Sequence, residues 1–208
     1  MAGRVMIFID GGNFEGSCRS IDEHLTHEID FNKLSSALVK YSNGDSYQGT
    51  YFYCSYRPKM AGLSAEEIEK INKKVKFYDA LQFKTGYTVR KFRRKIRSET
   101  CVQCGKTTTF TIEKGVDSNL VADLLTLAWE DAFDIAVVLS DDADIGAAID
   151  YLKRKGKKVF HASFSKLQHG QEIRKLCFGL IDLTSVYELS GRMWAEVQSS
   201  VAAERIGL

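Results

Sequence analysis

Two five-residue runs, Val5-Met6-Ile7-Phe8-Ile9 and Ile135-Ala136-Val137-Val138-Leu139, hold no polar side chain, and acids follow the first at once and the second after a single serine. Side chains alternate between the two faces of a strand, so a strand that is apolar throughout must be covered on both faces. That requirement points to a parallel sheet between two helical layers. The first run ends at Asp10-Gly11-Gly12-Asn13, which reads as a turn, and the second at Ser140-Asp141-Asp142-Ala143-Asp144.

The rest of the chain alternates in the same sense. Asp30 is placed to cap a helix reaching about Tyr41, and Tyr47 to Cys54 is rich in strand-forming aromatics. Ser64 and Glu67 form a capping box for a helix to about Leu81, with Ile68, Ile71, Val75 and Tyr78 as its apolar stripe. Tyr87 to Phe92 reads as a strand. Residues 93–113 read as a hairpin excursion that carries Cys101 and Cys104. A long helix follows Gly115, with Val116, Leu120, Leu124, Leu127 and Ala128 on one face. After the second apolar strand come a helix from Ile145 to Lys155 closed by Gly156, a strand from Lys158 to Ala162, a short helix over Gln171 to Lys175, a strand from Gly179 to Leu183, and a helix containing Trp194. The expected fold is a three-layer α/β/α domain with a mostly parallel central sheet over residues 1–190, a small cysteine-bearing hairpin insertion, and a helical extension over 191–208.

With 208 residues, 44% of them hydrophobic, the chain can fill one core, and its five cysteines suit a reducing cytoplasm better than a disulfide scaffold. No run approaches the length of a membrane span, so no membrane partner is expected. A net charge of +2 conceals two blocks. Lys84, Arg90, Lys91, Arg93, Arg94, Lys95, Arg97 and Lys106 stand against the single acid Glu99, whereas from Asp117 to Leu152 there are nine acids and no lysine or arginine. Both blocks are consistent with solvated faces. Together they also suit a protein that grips a polyanion with one surface and holds a divalent cation with another.

In open parallel sheets, sites collect at the carboxyl ends of the strands, and right-handed crossovers bring Asp10 and the Ser140–Asp144 cluster to the same edge. Carboxylates so close raise each other's pKa unless a cation intervenes, and a hard divalent ion takes oxygen ligands and keeps some waters. Asp142 and Asp144, joined by Asp10 and Asp117, would make such a site. Asp117 is also a plausible cap of its own helix, and Asp141 or Asp142 of the next one.

Four motifs in order then show a resemblance. They are Ile9-Asp10-Gly11-Gly12-Asn13-Phe14; Lys114-Gly115-Val116-Asp117 with Ala122-Asp123-Leu124-Leu125; Val138-Leu139-Ser140-Asp141-Asp142-Ala143-Asp144; and Leu152 to Val159 with Gly156. Over roughly residues 4–190 the chain resembles the NYN domain, a family of PIN-like metal-dependent ribonucleases. The resemblance implies a PIN-like fold and hydrolysis of RNA, single-stranded by expectation, with magnesium or manganese. It places Asp10, Asp117, Asp142 and Asp144 as metal carboxylates and Asn13 in the catalytic turn. Asp141 stands where the family has glycine, and could tighten metal binding or disturb the turn. Asp123 would support the site from behind or be a buried structural acid. Lys114 would contact a phosphate or hold its loop, and Ser140 would bind phosphate, orient Asp142 or serve only as a turn-forming hydroxyl.

Arg90, Lys91, Arg93, Arg94 and Lys95, with Tyr87 and Phe92 among them, have the composition of a single-strand RNA surface, or of a charged sheet edge. Cys101-Val102-Gln103-Cys104 reads as a zinc knuckle, a metal-free hairpin or a redox pair. A closed zinc site needs two more ligands, for which Cys54, Cys177, His161, His169 or a homodimer are the candidates. Two other functions stay open at this level: an RNA-binding module that does not cut, and an acid-rich phosphotransfer enzyme of the topoisomerase-primase kind.

Overall fold

The computed structural model describes residues 3–22, 25–167 and 169–186. The helix expected around Trp194, and the extension over 191–208, lie outside the described residues. The strands are β1 (Arg4–Asp10), β2 (Ser46–Tyr56), β3 (Tyr87–Arg93), β4 (Lys95–Thr100), β5 (Thr107–Ile112), β6 (Ile135–Leu139), β7 (Lys158–Ser163) and β8 (Gly179–Asp182). The helices are α1 (Gly11–Ile21), α2 (Leu25–Glu28), α3 (Phe31–Tyr41), α4 (Ala65–Gln82), α5 (Val116–Trp129), α6 (Gly146–Arg154) and α7 (Gln171–Leu176).

Six strands form one sheet in the order β3-β2-β1-β6-β7-β8, and every neighbouring pair is parallel. The two apolar runs are its central strands, registered from Val5 opposite Ile135 to Ile9 opposite Leu139. Val5, Ile7 and Ile9 face a core shared with Phe14, Leu34, Leu38, Tyr78 and Leu81, on the side of α1, α3 and α4. Met6 and Phe8 face the opposite core, with Val116, Leu120, Leu124, Ile149 and Ile173 from α5, α6 and α7. Both faces of the central strands are therefore covered, which is why neither run carries a polar residue. At the amino end of β1, Arg4 bonds Asp134 through Nε and an Nη at 2.9 Å, fixing the approach to β6.

The capping box of α4 is present with both bonds, between Ser64 and Glu67. Its expected stripe is only partly buried: Tyr78 is core, as is Leu81 near the helix end, whereas Ile68 is half-buried and Ile71 and Val75 line a surface cleft with Tyr56, Arg93 and Lys76. The turn expected after Asp10 is instead the start of α1. Asp10 caps that helix by accepting from the Asn13 backbone N–H at 3.0 Å, and Phe14 and Cys18, four residues apart, bury its inner face. Gly11 permits this abrupt entry, since a Cβ there would lie 2.6 Å from the Phe52 ring and 2.8 Å from the Tyr53 carbonyl oxygen. The hairpin excursion is β4 paired antiparallel to β5, a separate two-stranded ribbon.

Candidate metal centre

The chain runs outward from β1 to β2 and β3 on one side, then returns to place β6 against the other side of β1, so the connections diverge between β1 and β6. Crevices at such switch points, beyond the carboxyl ends of the strands, are where open α/β sheets bind ligands. Asp10 ends β1, and Ser140 to Asp144 follow β6. The Asp10 carboxyl is buried, and its pKa is raised to about 6 by desolvation, against the backbone N–H groups of Asn13 and Gly12 and with the neighbouring charges of Asp117 and Glu113 raising it further.

After β6 the chain makes a tight 3-10 turn over Ala143–Ile145 and enters α6. Asp142 caps that turn, with Oδ1 accepting from the Asp144 N–H at 2.9 Å. Ser140 is buried, and its Oγ accepts from the Asp142 N–H at 3.2 Å. That bond, between residues two apart, closes the turn after β6 through the Ser140 hydroxyl. Asp141 Oδ1 lies 2.9 Å from Nε2 of His161, a fully buried ring on β7. The extra carboxylate of this turn thus lies beside a buried imidazole, and Asp141 also lines a small cavity with Asn13, Phe14 and Ser140.

Asp117 lies in the first turn of α5, behind Gly115, which adopts φ 98°. A side chain at that position would be strained in the left-handed region and would sit 3.2 Å from the Phe92 ring. Burial raises the Asp117 pKa first, followed by the charges of Asp142, Glu113 and Asp144. These couplings join all four expected carboxylates in one electrostatic group and add a fifth acid, Glu113, which follows β5. Glu113 is bonded by the Ser55 hydroxyl at the end of β2. Sequence reasoning missed it because a glutamate beside Lys114 resembles a solvated charge pair; its place directly before the Lys114–Asp117 motif was the available signal. Lys114 itself is exposed.

The donor set is all oxygen, with two carboxylic acids held toward protonation by burial and like charge, which fits a hard divalent cation as the missing counter-charge. Among the described residues, no three acidic, histidine or cysteine side chains approach closely enough to cage an ion unaided. An ion here would be bound by few carboxylates and complete its shell with water and substrate oxygen, the usual habit of magnesium at phosphate-transfer sites.

Asp123 does not join this group. It accepts from the Tyr53 hydroxyl at 2.9 Å and pairs with Arg90 at 3.2 Å, clamping α5 to β2 and β3. The basic strip is divided by strand alternation: Arg90 reaches α5, whereas Lys91 points to the other side of the sheet and pairs with Asp79 of α4. Tyr87 is a core residue whose hydroxyl donates to the Phe31 carbonyl, and Phe92 packs over Gly115, so neither offers a free stacking face. Arg94 is half-buried, and Arg93 and Lys95 are exposed. Cys54 and His161 are buried in the central sheet, Cys177 follows α7, and no third ligand gathers with Cys101 and Cys104 among the described residues.

The NYN domain family model matches residues 4–184, and the chain belongs to that family, whose nucleases share the PIN-like fold. Among solved structures, a Vibrio parahaemolyticus protein of unknown function is similar at TM-score 0.53 with 14% identity, over 89% of this chain and 95% of that one. A putative oxidoreductase from Parabacteroides merdae aligns over 88% of this chain and 32% of that one, at TM-score 0.32 and 12% identity. At such identities the Vibrio likeness speaks to fold alone, and the second carries no argument. No curated protein matches the chain significantly.

Proposed function

We propose that the chain is a divalent-metal-dependent ribonuclease that hydrolyses phosphodiester bonds of single-stranded RNA, with Asp10, Asp117, Asp142 and Asp144 holding magnesium or manganese. The supporting observation is the coupling of these acids at the switch point, with Asp10 raised to about 6 by burial and by the charges of Asp117 and Glu113. When bound, such an ion offsets charge on the phosphoryl oxygens and lowers the pKa of water. The residues do the rest. Asp10 and Asp142 are held by capping bonds from Asn13 and Asp144, each of which occupies one carboxylate oxygen and fixes the rotamer. Ser140 holds the Asp142 turn, and Gly115 fixes the helix start that carries Asp117. Exposed Lys114, Arg93 and Lys95 supply positive charge for the RNA backbone.

The test is cleavage of labelled single-stranded RNA, beside matched DNA, in magnesium, manganese and EDTA, with wild type and Asp142→Asn compared. Cutting of RNA that requires metal and is lost in Asp142→Asn is the expected result. Tight binding without cutting in every metal would mean an RNA-binding module of the same fold, and full activity of Asp142→Asn would remove the site assignment.

A further inference from the structure

The hairpin of β4 and β5 is the element the acidic site does not use. Every residue of β4 is exposed, and along the ribbon Ser98 pairs with Thr109 and Thr100 with Thr107 through their hydroxyls. Such a ribbon buries too little apolar surface to be retained for packing, and with six residues per strand it is about 20 Å long. At its tip, Cys101 to Lys106 fold into a tight knuckle. The Cys101 N–H donates to the Lys106 carbonyl at 2.9 Å, the Gly105 N–H donates back to the Cys101 carbonyl at 2.9 Å, and Gly105 takes φ 68°.

Within this knuckle the Cys101 sulfur receives the backbone N–H groups of Cys104 and Gln103 and faces the Cys104 side chain, and these contacts hold its thiol below its ordinary value. Backbone N–H groups aimed at sulfur stabilise a thiolate, the form that binds metal. Both cysteines are exposed, Val102 between them is fully exposed, and neither is in a disulfide. The tip is thus a pre-shaped pair of sulfur ligands with an open outer face. It is half of a tetrahedral thiolate site.

From this geometry we propose that Cys101 and Cys104 bind zinc together with the same two cysteines of a second copy of the chain, joining two molecules tip to tip through one four-cysteine site. Three observations select that occupant. No third cysteine, histidine or acid gathers at the tip among the described residues, so the described part of one chain does not close the shell there. The pair lies at the end of an exposed ribbon, where an identical knuckle can approach about a two-fold axis without the cores colliding, and two ligands from each copy complete four. Charge also agrees. Four thiolates around one Zn²⁺ carry a net −2, with the four thiol protons released to solvent, and Arg97 and Lys106 of both copies lie along the joined ribbons to offset it.

The experiment titrates the reduced, metal-free full chain with Co²⁺ and then Zn²⁺, following the thiolate-to-cobalt charge-transfer band and the molar mass by light scattering. Carboxylate-bound cobalt lacks that band, so ions at the acidic site do not mask the result. The expected outcome is a thiolate band saturating at about 0.5 equivalent per chain, a mass that doubles in step with it, displacement by zinc, and return to a single chain on chelation. Cys101→Ser and Cys104→Ser each lose the band and the doubling while keeping wild-type circular dichroism and metal-dependent RNA cleavage. The proposal is overturned by absence of the band in the reduced chain, by saturation at one equivalent on a monomer, or by a dimer that persists in the double serine variant. Asp142→Asn is carried in parallel and should still dimerise with zinc, so a failure of the nuclease reading leaves this result interpretable.

Discussion

Asp10 serves two demands that conflict in the metal-free chain. Its carboxyl caps α1 from a buried position, and its pKa of about 6 stands some two units above the usual 3.8. The folded state therefore holds this proton more tightly than the unfolded chain. The stabilisation is complete below about pH 4 and is lost as pH rises through about 6, so ionised Asp10 costs the metal-free fold up to about 3 kcal/mol at pH 7. Asp10→Asn keeps an oxygen to accept from Asn13 and removes the charge. In EDTA at pH 7 it should unfold at higher urea than wild type, with the difference vanishing near pH 4, and it should not cleave RNA; a less stable variant at pH 7 would contradict this account of the site. Asp123 tests the opposite assignment. Asp123→Ala strands the buried Tyr53 hydroxyl and frees Arg90, and should cost about 1–3 kcal/mol in denaturant melts while cleavage per folded molecule stays near wild type. A loss of turnover with unchanged stability would return Asp123 to the metal site.

At the scale of elements, what the sequence disclosed follows how local its cause is. The apolar central strands and the capping box of α4 are set by neighbouring residues, and both stand where the pattern puts them. α1 was hidden because Gly11-Gly12 imitates a turn, although Asp10 as cap and Phe14, Cys18 and Ile21 at helical spacing were there to be read. The inward turn of Asp141 and the clamp on Asp123 depend on His161 and Tyr53, twenty and seventy residues away, which no local spacing discloses. The joint between β5 and α5 carries a prediction of its own. Gly115→Ala meets both the positive φ and the Phe92 ring, and should cost about 1–2 kcal/mol while displacing Asp117 and Glu113 on either side of it. Its signature in a metal titration is weaker magnesium binding in protein that is still folded by circular dichroism, whereas Ser64→Ala, which breaks the capping box at a comparable stability cost, leaves magnesium binding unchanged.

For the whole molecule, the distribution of unpaired charge decides where a single strand of RNA would run. Arg90 and Lys91 look like the centre of a basic strip in the sequence, yet each is engaged by an acid on its own side of the sheet. Arg93 has no such partner among the described residues, and it lines a cleft with Tyr56, Arg57, Lys59 and Lys76 where the carboxyl ends of β2 and β3 meet α4. That is the same edge of the sheet as Asp10, two strands over. A backbone crossing the acidic centre would continue into this cleft, with its phosphates against cations and the Tyr56 ring beside them. Single-strand binding loses about 0.7 in the slope of log K against log salt for each phosphate neutralised. Arg93→Gln and Lys76→Gln should each flatten that slope by about 0.7 in fluorescence anisotropy of labelled RNA in EDTA, leaving the melting temperature unchanged because neither side chain is in an ion pair among the described residues. Arg90→Gln should do the reverse, lowering stability through Asp123 with little change in slope. If Arg90→Gln alone flattens the slope, the strand runs along the α5 side of β3 instead, and the Arg90–Asp123 pair opens to admit it.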